Sequence, residues 1–179
     1  MHRTLLLSTA PTVRRGVSHE PNPLLGRGED IAAVHRLLRA SRVTSIVGPG
    51  GLGKTRLAQA VLRQAEQRTG FFVALAGVTT DDDVLGEVAT AVGAGESPRT
   101  RGGAPSHDLI SGVISAIGPG PAVLVLDNCE HVLRGVVRLV QALVARTAEF
   151  ARPDNEPRAA RTDVGIGLPA TRVVLAHDG

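Results

Sequence analysis

The sequence predicts an α/β fold, a parallel β-sheet covered by helices. Three observations carry that expectation. Short β-branched runs alternate along the 179 residues with longer segments of helical period. One run, Ala122-Val123-Leu124-Val125-Leu126-Asp127, is apolar at successive positions, which suits a central strand covered on both faces. Another, Val43-Thr44-Ser45-Ile46-Val47, leads directly into a glycine-rich loop and then a helical segment.

Residues 1–23 contain Pro11, Pro21 and Pro23 with little periodicity and read as a flexible lead. Ile31, Val34, Leu37 and Leu38 form one apolar helical face, with Glu29 and Asp30 at its favourable N-terminal end. Val43–Val47 is short and β-branched, hence a buried strand. Thr55–Arg68 reads as a helix with Leu57, Ala58, Val61, Leu62 and Ala65 on one side, stopped by Gly70. Phe71–Leu75 reads as a second strand. Thr80 can cap a helix whose first turn holds Asp81, Asp82 and Asp83, and which runs to Gly93. Residues 94–105 read as a solvent loop, and Ser106 can open a helix through Ile117. Val132–Phe150 is a further amphipathic helix, 151–170 has no clear period, and Thr171–Ala176 reads as a fourth strand. The expected organisation is thus a lead over 1–23, a domain over 24–150 and an irregular tail over 151–179.

Composition excludes several classes. Hydrophobic residues make up 42%, enough for a core, but aromatics only 2%, so that core is aliphatic. No apolar run approaches the length of a membrane span. The single Cys129 rules out an internal disulfide and fits a reducing cytoplasm. Net charge is +3, carried by arginines spread among acids, so no basic stripe for nucleic acid is expected. Lys54 is the only lysine.

That lysine lies in Gly48-Pro49-Gly50-Gly51-Leu52-Gly53-Lys54-Thr55, a full match to the phosphate-binding loop pattern in its required strand–loop–helix setting. Glycines let the backbone curl so that successive N–H groups point at phosphate oxygens, and the following helix adds its positive end. Lys54 would reach the β- and γ-phosphates, and the Thr55 hydroxyl would hold Mg²⁺. The expected architecture is therefore a P-loop NTPase three-layer sandwich, cut short after the fourth strand. Asp127 ends a buried strand at the ligand face of such a sheet, where it can hold Mg²⁺ through water. In the next position, where many ATPases carry a water-activating Glu, stands Asn128, which cannot act as a base. Glu130 is either that base or only a first-turn residue of the next helix. Cys129, Glu130 and His131 are adjacent and lack the spacing of a metal site.

The stretches Gly48–Ala58 and Leu124–Leu133 together resemble the nucleotide-binding domain of STAND-class ATPases, and more narrowly the NB-ARC-like module of bacterial LuxR- and SARP-type transcriptional regulators. Leu25-Gly26-Arg27-Gly28-Glu29 is similar to the Gly-Arg-x-x-Glu motif that opens those domains near the adenine side, and Phe72–Thr79 to their second strand. The resemblance covers about residues 24–150. It implies ATP or ADP with Mg²⁺, contacts from the loop and Arg56, and an adenine-side contact from Arg27. It implies a nucleotide switch that self-associates or works through further regulatory and DNA-binding domains, with slow hydrolysis. The family's fourth strand lies between the P-loop strand and the strand ending in Asp127. Where family members follow that strand with a Thr/Ser-Arg pair, this chain has His177-Asp178-Gly179, so the apparatus that reads a γ-phosphate is expected to be incomplete. A stand-alone ATPase and a truncated or frameshifted gene product are the alternatives.

Overall fold

The computed structural model describes residues 12–18, 24–94, 106–149 and 171–178. Among the described residues, five parallel strands form one sheet: β1 (Val13–Arg15), β2 (Val43–Val47), β3 (Thr69–Ala74), β4 (Ala122–Asp127) and β5 (Arg172–His177). Their order is β1-β3-β4-β5-β2. Five helices flank it: α1 (Gly28–Ala40), α2 (Lys54–Gln64), α3 (Val84–Val92), α4 (Ser106–Ile117) and α5 (Leu133–Glu149).

Alternation along the strands builds two cores. Leu124 and Leu126 of β4, Phe71 and Val73 of β3 and Val173 of β5 face α3, α4 and α5. Val123 and Val125, Phe72, and Val174 with Ala176 face α1 and α2 on the other side. The helices bury matching stripes: Ile31, Val34 and Leu38 in α1, Val84, Val88 and Val92 in α3. All six residues of β4 are buried, as its continuous apolarity requires. The result is the expected three-layer α/β sandwich.

β5 pairs with β2 on one side and β4 on the other, Val173 opposite both Val43 and Leu124. The fourth expected strand therefore fills the place between β4 and β2, one residue later than the Thr171–Ala176 span. The irregular stretch before it and most of the loop at 94–105 lie outside the described residues.

Four expectations are corrected. A strand, β1, lies within the segment 1–23 that was expected to be a flexible lead, so five strands are present rather than four; it pairs with β3 from Val13↔Thr69 to Arg15↔Phe71. β2 is buried on one face only. Thr44 and Ile46 are covered, whereas Val43 and Val47 are 37% and 56% exposed, because β2 ends the strand order and α3–α5 pack over the other strands. α2 stops at Gln64, well before Gly70, which lies inside β3. The cause is Arg14 of β1. Its Nε donates to Leu62 O (2.9 Å), Nη2 to Ala65 O (2.8 Å) and Gln67 O (2.6 Å), and Nη1 to Arg68 O (2.9 Å). That one guanidinium gathers carbonyls from the last turn of α2 and from the link that follows it to β3.

The fourth correction concerns Asp81–Asp83. They form a turn before α3 rather than its first turn, with Thr80 Oγ1 donating to Asp83 Oδ2 (2.6 Å). The segment is held instead by α5: Gly135 N donates to Asp81 Oδ1 (2.7 Å), and Arg138 pairs with Asp82 (2.8 Å). A Cβ on Gly135 would collide with the Asp81 carbonyl oxygen, so this helix start requires glycine.

Candidate nucleotide-binding site

The glycine loop joins the carboxyl end of β2 to the N-terminus of α2. Gly51 (φ +79°) and Gly53 (φ +76°) are left-handed, a conformation that glycine adopts without the Cβ clash other residues meet. Gly53 is the residue immediately before α2, and no side chain caps that helix. The first-turn N–H groups of α2, beyond Gly53, are thus left facing the loop.

Beside the loop lies a cavity of about 310 Å³. Gly50, Gly51, Gly53, Lys54 and Thr55 line one wall; Asp127, Asn128 and Glu130 line a second; Ala176, His177 and Asp178 line a third. The three walls are the carboxyl ends of β2, β4 and β5, adjacent strands of a parallel sheet, where such sheets bind ligands.

Thr55 and Asp127 meet directly. The Thr55 hydroxyl donates to Asp127, 2.9 Å from Oδ2 and 3.1 Å from Oδ1. Asp127 is only 6% exposed. Burial raises its carboxyl above the ordinary range; the hydrogen bonds from Thr55 and from the Asn128 backbone oppose this, Glu130's charge adds to it, and Lys54 draws it back. Asn128 is the one described non-glycine residue at positive φ (56°), and its N–H donates to Ala176 O (2.8 Å). That kink turns the chain into a single 3₁₀ turn, Glu130–Val132, ahead of α5. Glu130 sits in this turn and lines the cavity, and its Oε2 is buried with no hydrogen-bond partner among the described residues.

Lys54 Nζ donates to Pro49 O (2.7 Å) and forms an ion pair with Asp178. The remaining expected residues stand further out. Gly48, Pro49 and Leu52 are in the loop but not on the cavity wall; Leu52 is half exposed. Arg56 is exposed on the first turn of α2 and does not line the cavity. Arg27 does not reach the cavity either: its Nη2 donates to Leu52 O (2.9 Å), and its Nη1 pairs with Asp30 (2.8 Å). It thus holds the loop from outside. Cys129 is fully buried, and the His131 Nε2–H donates to Val78 O (2.8 Å). No group of three or more His, Cys, Asp or Glu is placed to hold a metal among the described residues.

Two cavity residues, His177 and Asp178, were not singled out as site residues by sequence reasoning. The available signal was their position, directly after the core of a strand expected beside the loop-bearing strand.

The donor set fits a nucleoside phosphate. Glycine backbone, an open helix N-terminus and a lysine line one wall, and a hydroxyl paired with a buried carboxylate stands next to it. Fold and site together define a P-loop ATPase domain. Residues 23–153 match the AAA ATPase domain family, and the chain belongs to it. A candidate HTH-type transcriptional regulator of Mycobacterium tuberculosis is 35% identical over 115 residues, 64% of this chain and 12% of that protein. An uncharacterized protein of the same species is 28% identical over 145 residues, 79% of this chain and 35% of its own length. The chain therefore spans about a tenth to a third of the curated relatives it matches. Among solved structures, the Aeropyrum pernix ORC2 protein, solved in ADPNP–ADP complexes, superposes with a TM-score of 0.59 at 17% identity, over 90% of this chain and 43% of that one. Cdc6p from Pyrobaculum aerophilum superposes at 0.58 and 16% identity, over 90% and 41%. At such identities the likeness establishes the fold. No helix among the described residues is long and apolar enough to cross a membrane.

Proposed function

We propose that this chain binds a nucleoside triphosphate with Mg²⁺, ATP by family resemblance, and acts as the nucleotide switch of a transcriptional regulator. The contact between Thr55 and Asp127 carries the reading. It brings together the two groups that hold Mg²⁺ in P-loop ATPases, from elements 72 positions apart in the chain. Bound there, the metal neutralises phosphate charge. The loop and the N-terminus of α2 would hold the phosphates, with Lys54 on their outer oxygens. The regulator role draws on the mycobacterial relative's name and on the STAND and NB-ARC resemblance. DNA binding and self-association would then belong to the assembled regulator rather than to this cavity.

The test is calorimetric titration with Mg²⁺-ATP. Lys54→Ala removes a charged donor and should weaken binding by about tenfold or more. Equal affinity in the variant, or no binding by folded wild-type chain, rejects the reading.

Turnover is a second reading, favoured by one observation. Glu130 Oε2 is buried at the cavity without a partner among the described residues, free to hold a water. Phosphate release abolished in Glu130→Gln with binding intact is the outcome it requires.

A further inference from the structure

Asp178 stands in the phosphate cavity, and its carboxylate is paired with the lysine of the loop. We propose that Asp178 competes with the nucleotide's phosphate for Lys54, and so sets the affinity of the site. The proposal rests on the nucleotide reading above and adds a residue to it.

Four observations support the competition. Lys54 is 13% exposed in its side chain, so its ammonium is largely withdrawn from water, and its partners are Asp178 and the Pro49 carbonyl. The second carboxylate oxygen of Asp178 lies over the loop itself, 3.4 Å from where a Cβ on Gly50 would be. The position is built in: Asp178 directly follows β5, which is paired on both sides, with His177 opposite Val47 at the base of the loop. Finally, the three acidic residues lining the cavity, Asp127, Glu130 and Asp178, outnumber its one lysine.

A phosphate entering this cavity meets two costs. The Lys54–Asp178 pair must break, and the displaced carboxylate is left close to the incoming negative charge. Both act on any phosphate tail, so diphosphate and triphosphate are both penalised. Asp178→Asn keeps the shape and removes the charge. Given the modest worth of a partly exposed pair and the repulsion removed with it, affinity for both Mg²⁺-ADP and Mg²⁺-ATP should tighten by about threefold to tenfold.

Two readouts on the full 179-residue chain test this. The first needs no nucleotide. Lys54 is the only lysine, so acylation of its amine by an activated ester, followed by mass spectrometry of its peptide, reports its occupancy directly. Asp178→Asn should raise that rate severalfold. The second is the Kd for each nucleotide. Asp178→Ala serves as a second variant, thermal unfolding confirms that both fold, and Asp82→Asn, whose partner is the distant Arg138, should change neither readout. Faster labelling with tighter binding of both nucleotides supports the proposal. Unchanged labelling overturns the ion pair as the cause, whatever the Kd does. Faster labelling with equal or weaker binding overturns the competition, and weaker binding of ATP alone would assign Asp178 to the bound triphosphate. If neither wild type nor variant binds nucleotide while labelling still rises, the nucleotide reading itself fails, and the competition with it.

Discussion

The hydroxyl of Thr55, on the first turn of α2, donates to the carboxylate of Asp127 at the end of β4, 2.9 Å from Oδ2. One hydrogen bond thus joins the loop-bearing helix to the central strand of the sheet. It also leaves a buried carboxylate with less compensation than its burial demands, since the net effect is to raise its proton affinity.

That imbalance has a consequence for stability. An acid whose folded-state pKa lies above its unfolded value binds protons more readily in the native chain, so its ionisation opposes folding. The opposition is complete above the raised pKa and is lost as pH falls through it toward the ordinary carboxylate range. Asp127→Asn should therefore raise the Tm of the ligand-free chain at pH 7. The gain over wild type should shrink as pH is lowered toward 4, while Mg²⁺-dependent nucleotide binding is lost. Thermal unfolding of both proteins across that range checks the sign; a variant less stable than wild type at pH 7 contradicts it.

Cys129 offers a second pH-dependent test. The thiol is fully buried, and burial, with the charges of Glu130 and Asp127, pushes its pKa up to about 11 from an ordinary 9.0. At pH 8 only about one molecule in a thousand would carry the reactive thiolate. An aromatic disulfide reagent should label the native chain only as fast as it opens, and Mg²⁺-ATP should slow that further by favouring the closed state. Above pH 9 the unfolded thiol ionises while the native one stays protonated, so stability should fall between pH 9 and 11. Rapid labelling of folded protein at pH 8 would show the site to be open.

What could be read beforehand divides along the distance between partners. The glycine loop, its strand and its helix were legible because their signal is local: Gly48, Gly53, Lys54 and Thr55 carry it within eight consecutive residues. β4 announced itself by six apolar or strand-ending positions in a row. The place of β5 between β2 and β4 came from family resemblance, since Arg172–His177 says nothing of its neighbours. β1 was missed because Val13-Arg14-Arg15 has no period to detect; its evidence is the set of carbonyls at residues 62–68 that Arg14 collects. The end of α2, expected at Arg68 with Gly70 as its stop, was misplaced for the same reason. Within the site, Lys54, Thr55 and Asp127 follow from pattern. Asp178 does not, because its meaning lies in a lysine on another strand's loop, and Arg27 holds the loop from outside through a backbone carbonyl that no motif encodes.

The pairing of Arg14 with Gly70 gives the last test. Gly70 leaves room for Arg14 along β3: a Cβ there would stand 3.0 Å from Arg14 Cδ and 2.7 Å from Leu62 Cδ1, so both side chains would have to shift. Arg14→Ala deletes the four bonds to the last turn of α2 and the link after it and should cost about 2 kcal/mol, a drop in Tm of about 4–8 °C for a domain of this size. Gly70→Ala forces Arg14 and Leu62 apart and should cost about 1–3 kcal/mol. The two losses should not add. With Arg14 already truncated, part of the crowding at Gly70 is gone, so the double variant should be more stable than the sum predicts, by roughly 0.5 kcal/mol or more. Strict additivity in denaturant unfolding would mean that Leu62 alone crowds Gly70, and that Arg14 terminates α2 without depending on the glycine.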